Sequence, residues 1–173
     1  MMKNAARTLM AAVLVAGLAG SRQLAAAGDN SREAFAQLKA LAGHWEEQKA
    51  SENKSTLDIE LTAGGTTLLE KFRMVEQGKP VEMVTMYYLD GGQIKLTHYC
   101  MAGNQPTMRG TYAPESKTLT FDFENATNLK NANDGHMHHA VYKFIDNDHF
   151  QTTWTFQKDQ KDAFSEDVVY VRK

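Results

Sequence analysis

Residues 93–101, QIKLTHYCM, decide the fold because apolar and polar side chains alternate along them. Ile94, Leu96, His98 and Cys100 share one face, and the opposite face carries Gln93, Lys95, Thr97 and Tyr99. A period of two is typical of a β-strand that buries one face. The pattern therefore predicts a strand that turns an imidazole and a thiol towards the protein interior.

The same kind of pattern recurs on both sides of this stretch. Only one segment, which begins at Asn30 or Ser31 and ends at Gly43, has helical spacing. The turns between the other segments are short, which permits only antiparallel pairing, and closing such a sheet removes its unpaired edges. We therefore predict an all-β fold, an up-and-down antiparallel β-barrel of about ten strands with one short N-terminal helix; two packed sheets are the alternative. The predicted strands are His44–Ala50, Ser55–Thr62, Thr66–Val75, Val81–Leu89, Gln93–Met101, Thr107–Tyr112, Thr118–Asn125, His136–Ile145, Phe150–Gln157 and Phe164–Arg172.

Composition excludes several classes of protein. The chain has 173 residues, one cysteine and a formal net charge of −2. This length suits one domain. A lone cysteine cannot form an intrachain bridge, which excludes a disulfide scaffold and a cysteine-rich zinc site. The net negative charge argues against a nucleic-acid partner, because phosphate backbones are bound by clustered Lys and Arg.

Residues 1–27, MMKNAARTLMAAVLVAGLAGSRQLAAA, have the pattern of a signal peptide. A basic start precedes an apolar run over residues 9–18, and Ala25 and Ala27 supply the small residues of a cleavage site. The run is shorter than the ~20 residues that span a bilayer; a membrane anchor or a buried helix is the alternative. We expect a periplasmic or secreted protein whose mature domain, residues 28–173, has no membrane span.

Alternation also assigns inner faces to other strands. Glu70 is placed inside because Lys71 and Arg73 occupy the opposite face. The faces of residues 81–89 stay undecided, since both mix apolar and polar side chains. The other residues predicted to point inward are Leu68, Phe72, Met74, Leu119, Phe121, Phe123, Asn125, His136, His138, Ala140, Tyr142, Phe144, Phe150, Thr152, Trp154 and Phe156.

The polar residues predicted inside are the candidate functional groups, because an interior built for stability alone would be aliphatic and aromatic. Such groups can orient the polar end of a small molecule while aromatic walls bury the rest. The loops over residues 102–106 and 126–135 are longer than hairpins require, and long loops often carry binding residues. The candidate ligand-binding residues are Glu70, His98, Cys100, Asn104, Gln105, His136, His138, Tyr142 and Trp154.

Two other interpretations of the histidines stay open. His98, His136 and His138 are a candidate metal set, because imidazole binds divalent metals and residues at i, i+2 on a strand project together. Plain buried histidines are the other interpretation. A hydrolase that uses Cys100 as nucleophile is disfavoured, since no strained turn or helix N-terminus presents this thiol.

A family resemblance enters with Leu41-Ala42-Gly43-His44-Trp45, which is similar to the Gly-x-Trp opening of calycin barrels. The blocks at residues 97–100, 103–106 and 135–138 resemble an uncharacterised family of exported bacterial lipocalin-like proteins. The resemblance implies a lipocalin-like barrel with an internal cavity but no established activity. Haem-binding barrels of the nitrobindin kind share the plan, and His149 is the one candidate haem ligand near their histidine. The positions that the resemblance favours are Gly43, Trp45, His98, Cys100, Asn104, Gln105, His136 and His138.

Together these patterns predict an exported protein that binds an apolar or amphipathic small molecule in its barrel. The alternative is a metal-dependent enzyme, or a metal or haem carrier, that uses the inner histidines. A binding protein is favoured over an enzyme, and a divalent metal over haem as cofactor.

Overall fold

The computed structural model describes residues 30–49 and 54–173, so the predicted signal peptide lies outside the described residues. One helix, α1, covers residues 30–40, and a short 3₁₀ turn covers Ala63–Gly65. The strands are β1 Gly43–Glu47, β2 Thr56–Thr62, β3 Thr67–Glu76, β4 Lys79–Asp90, β5 Gln93–Tyr99, β6 Gln105–Ala113, β7 Thr118–Thr127, β8 His136–Phe144, β9 His149–Lys158 and β10 Lys161–Arg172. Within the described residues, no helix has the length and apolarity needed to cross a bilayer.

The ten strands form one closed antiparallel barrel, in which each strand pairs with its sequence neighbours and β1 pairs with β10. The predicted fold is therefore confirmed, and the alternative of two packed sheets is wrong. The pairing of Trp45 with Arg172 joins the first strand to the last. Each described strand therefore has a paired neighbour on both sides, and none is an edge strand.

Helix α1 closes one end of the barrel. Its apolar side chains Phe35 and Leu38 are buried, and so is Leu41, which follows the helix. The indole Nε1 of Trp45 donates to the Leu41 carbonyl at 2.7 Å. Arg172 donates to the carbonyls of Ala40 and Ala42 at 2.8 Å each, and its guanidinium lies 4.1 Å from the Trp45 ring. We call this the helix end; the opposite end, with the turns Gln77-Gly78 and Asp159-Gln160, is the hairpin end.

The predicted inner face of the fifth strand is confirmed. Ile94, Leu96, His98 and Cys100 are all buried, although β5 itself ends one residue before Cys100. The structure also determines which face of residues 81–89 points inward: Thr85 is buried and pairs with His98. Alternation along an unbroken strand therefore assigns faces correctly here.

The prediction that Asn125 points inward is wrong, because this residue is exposed. Thr107 pairs with Asn125, whereas the next residue, Met108, pairs with Phe123. Glu124 is therefore an extra residue in β7, a β-bulge, and it reverses the alternation beyond it. Its carboxylate points outward and pairs with Lys95 at 3.1 Å.

Candidate ligand-binding chamber

The candidate site is a cavity of about 40 Å³ inside the barrel, on the hairpin-end side of the buried core. Among its walls are Phe72 and Met83, which pair across β3 and β4. Glu166 is exposed and marks the side on which the cavity meets solvent. We call this cavity the chamber; it is lined by Leu57, Glu70, Phe72, Met83, Thr85, His98, Met137, Tyr142, Thr152, Trp154, Glu166, Val168 and Tyr170.

Three polar residues cross one wall of the chamber in a single row. Glu70 on β3 pairs with Thr85 on β4, and Thr85 pairs with His98 on β5. All three side chains are buried. Residues directly opposite on neighbouring strands point to the same face of a sheet, so the register brings these polar groups side by side.

Glu70 is a buried carboxyl group held by two phenols. The Tyr87 hydroxyl donates to Oε2 at 3.0 Å, and the Tyr142 hydroxyl lies 3.5 Å from the same oxygen. The two hydroxyls are 2.5 Å apart. Burial raises the pKa of Glu70 to about 7, because desolvation of the carboxylate outweighs the two hydrogen bonds. The group can therefore gain or lose a proton near neutral pH.

His98 is a buried imidazole with one free nitrogen. Its Nδ1 lies 3.0 Å from the Thr85 hydroxyl, whereas Nε2 has no hydrogen-bond partner among the described residues. Burial lowers the pKa of His98 to about 4, so the ring is neutral at pH 7. The Trp154 ring packs against it with the ring centroids 5.0 Å apart. A buried nitrogen without a partner costs about 1–3 kcal/mol, which a ligand could recover.

The predicted site residues fall into two groups. Glu70, His98, Tyr142 and Trp154 line the chamber together. The other five lie outside it, towards the hairpin end: Cys100, Asn104, Gln105, His136 and His138. Alternation gives the face of each side chain but not its depth, and depth separates Cys100, Asn104 and Gln105 from the chamber. At the start of β8 the predicted faces are wrong: the register with β9 shifts between Met137 and His139, so Met137, which alternation places outward, lines the chamber, whereas His136 and His138 do not.

The second group is held by local hydrogen bonds. Asn104 Nδ2 donates to the Gly135 carbonyl at 2.8 Å, while its Oδ1 is buried and has no partner among the described residues. His136 Nε2 lies 3.2 Å from His138 Nδ1, and Phe123 stacks on His138 with the ring centroids 5.2 Å apart. These contacts fix the loops before β6 and β8 to each other.

Cys100 and Gln105 complete this second group without entering the chamber. The Cys100 thiol is buried, accepts from the Ala102 amide at 3.5 Å, and has its pKa raised by burial. Gln105 accepts a hydrogen bond from Thr127 at the surface and donates to the Gly103 carbonyl at 3.4 Å. Nothing in these contacts activates the thiol as a nucleophile.

The candidate metal set is not assembled. No three His, Cys, Asp or Glu side chains of residues 30–49 and 54–173 are grouped so that they could hold a metal ion. His98 lines the chamber, whereas His136 and His138 bond to each other outside it. Haem does not fit these residues either: His149 pairs at the surface with Asp146 at 3.0 Å, and a cavity of 40 Å³ is far below the ~300 Å³ of ordinary ligand pockets.

Several chamber residues were absent from the sequence prediction. Thr85 lines the chamber from the strand whose face was undecided, and Tyr87 on the same strand lies outside the lining but bonds to Glu70, so both hold predicted site residues in place. Glu166 and Tyr170 come from β10, along which residues 161–167 are exposed on both faces, so alternation carries little signal there. Thr85 could have been predicted from the register of β3, β4 and β5, because the short turns between these strands align it with Glu70 and His98.

Comparison with known proteins shows the fold alone. No family model matches this sequence, and no curated protein matches it. Among solved structures, the crystal structure of Rv2717c from M. tuberculosis is similar, with a TM-score of 0.58 and 15% identity over 81% of this chain and 97% of that one. A protein of unknown function from the DUF3598 family of Nostoc punctiforme gives a TM-score of 0.48 at 12% identity, over 79% of this chain and 48% of that structure.

Proposed function

We propose that this protein binds a small molecule in the chamber. The observation that carries the proposal is the buried row of Glu70, Thr85 and His98 along the wall of an internal cavity. Buried polar groups cost free energy unless they are hydrogen-bonded, and His98 Nε2 has no protein partner among the described residues. A bound ligand would supply the missing bond.

The size of the chamber restricts the ligand. One water molecule needs about 10–15 Å³ of cavity, so 40 Å³ accommodates roughly three water-sized groups. We therefore propose a compact amphipathic ligand of a few non-hydrogen atoms. Thr85 and His98 would bind its polar end, while Trp154 and Phe72 would cover its apolar end.

Native mass spectrometry of protein purified gently from its own host tests this proposal. We expect a mass excess that corresponds to a bound molecule and that disappears on denaturation. His98→Phe should remove this excess, because it deletes the polar contact, whereas His139→Phe should keep it, because His139 pairs with Asp122 on the outer surface. The proposal would be refuted if the wild-type protein shows only its unliganded mass under these conditions and if no added small molecule changes the environment of His98 or Trp154.

The lipocalin-like character of the barrel and the export of the chain belong to the same proposal. We propose that residues 1–27 are removed and that residues 28–173 act in the periplasm or outside the cell. A buried Cys100 suits that setting, since an exposed single thiol would be oxidised there. The mass of the protein from the exported fraction tests this point: loss of residues 1–27 supports it, and retention of the full chain refutes it.

A further inference from the structure

We propose that the ligand of the chamber is a small organic cation, an ammonium group bearing methyl or similar substituents, held between Glu70 and the ring of Trp154. This inference rests on the proposed function and specifies its ligand class. It comes from the sign of the charges around the chamber, from the aromatic surface and from the size of the space.

The charged groups that line the chamber are all acidic. Glu70 lies in its wall and Glu166 at its solvent side, and none of its lining residues is Lys or Arg. The basic neighbours of Glu70 along β3 point away: Lys71 bonds to Glu60, and Arg73 bonds to Glu82, on the outer surface. A buried anion would therefore meet carboxylates and no counter-charge, which is strongly unfavourable.

A cation, in contrast, finds a partner for its charge inside. Oε2 of Glu70 is bonded to Tyr87 and Tyr142, while Oε1 accepts no hydrogen bond from the described residues. An ammonium ion within a few ångströms would favour the ionised carboxylate and so offset the cost of its burial. The neutral Nε2 of His98 can accept an N–H from the same ligand, which would remove its missing bond.

Aromatic rings supply the rest of the binding surface. Phe72, Tyr142, Trp154 and Tyr170 all line the chamber. Ring faces attract ammonium groups through their quadrupole, by about 0.5–2 kcal/mol each, and Trp is the strongest of them. Carboxylates combined with several aromatic rings, without a basic side chain, favour a cation over a neutral molecule of the same shape.

The test compares a cation with a neutral molecule of the same shape and with a small anion. We propose calorimetric titration at pH 8 with tert-butylammonium chloride and with tert-butanol, which is its neutral analogue of the same shape. Acetate, which has fewer non-hydrogen atoms than either, is the anion, and the chlorides from methylammonium to tetramethylammonium are titrated in the same way. We expect saturable binding of the cation, binding of tert-butanol at least tenfold weaker, and no binding of the anion. Emission from Trp154 should change on binding, and Trp45, the other tryptophan, lies at the helix end and can be replaced by Phe to isolate that signal.

Variants assign the effect to Glu70. Glu70→Gln keeps the shape and removes the charge, so we expect at least tenfold weaker cation binding and unchanged tert-butanol binding. Glu60→Gln on the outer surface of the neighbouring strand is the matched control and should leave both unchanged. If Glu70→Gln does not fold, the ratio of cation to neutral binding in the wild type still decides the point.

The outcomes separate this inference from the proposed function. Equal or stronger binding of tert-butanol, or unchanged cation binding in Glu70→Gln, would overturn the cation and leave a chamber for neutral ligands standing. Failure of the whole series from methylammonium to tetramethylammonium would also overturn the cation. The native mass measurement then decides independently whether the chamber binds any molecule.

Discussion

Removing the carboxyl group of Glu70 should change how the stability of the protein depends on pH. Burial raises the pKa of Glu70 from 4.5 to about 7. Between these values the folded protein binds a proton that the unfolded chain has lost, so the free energy of unfolding falls as pH rises. At ~1.4 kcal/mol per pH unit, the loss amounts to about 3 kcal/mol by pH 7–8, and the full stability from this group is present below pH 4.5.

His98 acts in the opposite direction over nearly the same range. Burial lowers its pKa from 6.5 to about 4, so the unfolded chain binds the extra proton between these values. The free energy of unfolding therefore rises with pH from about 4 to 6.5, again by about 3 kcal/mol. In the wild type, the two contributions nearly cancel between pH 4.5 and 6.5.

Single substitutions should reveal each contribution separately. We expect Glu70→Gln to become more stable relative to wild type by about 3 kcal/mol from pH 4.5 to 7.5, and His98→Asn to show the opposite trend from pH 4 to 6.5. Urea unfolding at half-unit pH steps measures these differences, and taking the difference from wild type removes the surface carboxylates that all variants share. A flat difference curve for Glu70→Gln would refute the reasoning, because it would mean that folding leaves the pKa of this carboxyl unchanged.

Three further predictions concern the barrel itself. Gly110→Ala should lower the free energy of unfolding by about 1–3 kcal/mol in urea unfolding, because the new methyl group would lie 2.6 Å from Ile94 Cγ2. Thr111→Ala on the outer face is the control and should change this free energy by less than about 0.5 kcal/mol. Equal effects of the two substitutions would contradict the packing argument. Arg172→Ala should lower the free energy of unfolding by about 1–3 kcal/mol in the same urea assay, because it removes the charged donors that bind the Ala40 and Ala42 carbonyls. A change as small as that of Thr111→Ala would show that these bonds contribute little to stability. The Cys100 thiol should react with an aromatic disulfide reagent only after unfolding, since it is buried and its pKa is raised; rapid labelling of the native protein would contradict its buried position.

The architecture was predictable because its signals are local. Alternation and turn residues identified the ten strands and the α-helix found within residues 30–49 and 54–173, and short turns between strands imply antiparallel pairing. The boundaries were less accurate where a signal is ambiguous. β4 begins at Lys79, before Pro80, although proline usually marks the outside of a strand; here Pro80 pairs with Val75 near the end of a hairpin.

The faces of residues were predictable only along unbroken strands. His98 and Cys100 are buried as their alternation predicts. In β7 the bulge at Glu124 turns Asn125 outward, and in β8 the register with β9 shifts between Met137 and His139. A bulge is one extra residue without a distinct composition, so alternation alone cannot place it.

The depth of a residue in the barrel depends on turn length, which explains why half of the site was accessible from sequence and half was not. The two-residue turn Gly91-Gly92 pairs Asp90 with Gln93. Counting five residues away from the turn along each strand therefore pairs Thr85 with His98. The two-residue turn Gln77-Gly78 likewise aligns Thr85 with Glu70, so two hairpin turns determine the polar row of the chamber.

No such count reaches the other histidines. His136 follows a loop over residues 128–135, whose length leaves the register with β7 open. Its position relative to His98 therefore required the three-dimensional structure. The row that carries the proposed binding is the group whose relative depth two short turns specify. An insertion or deletion in either turn should therefore misalign Glu70, Thr85 and His98.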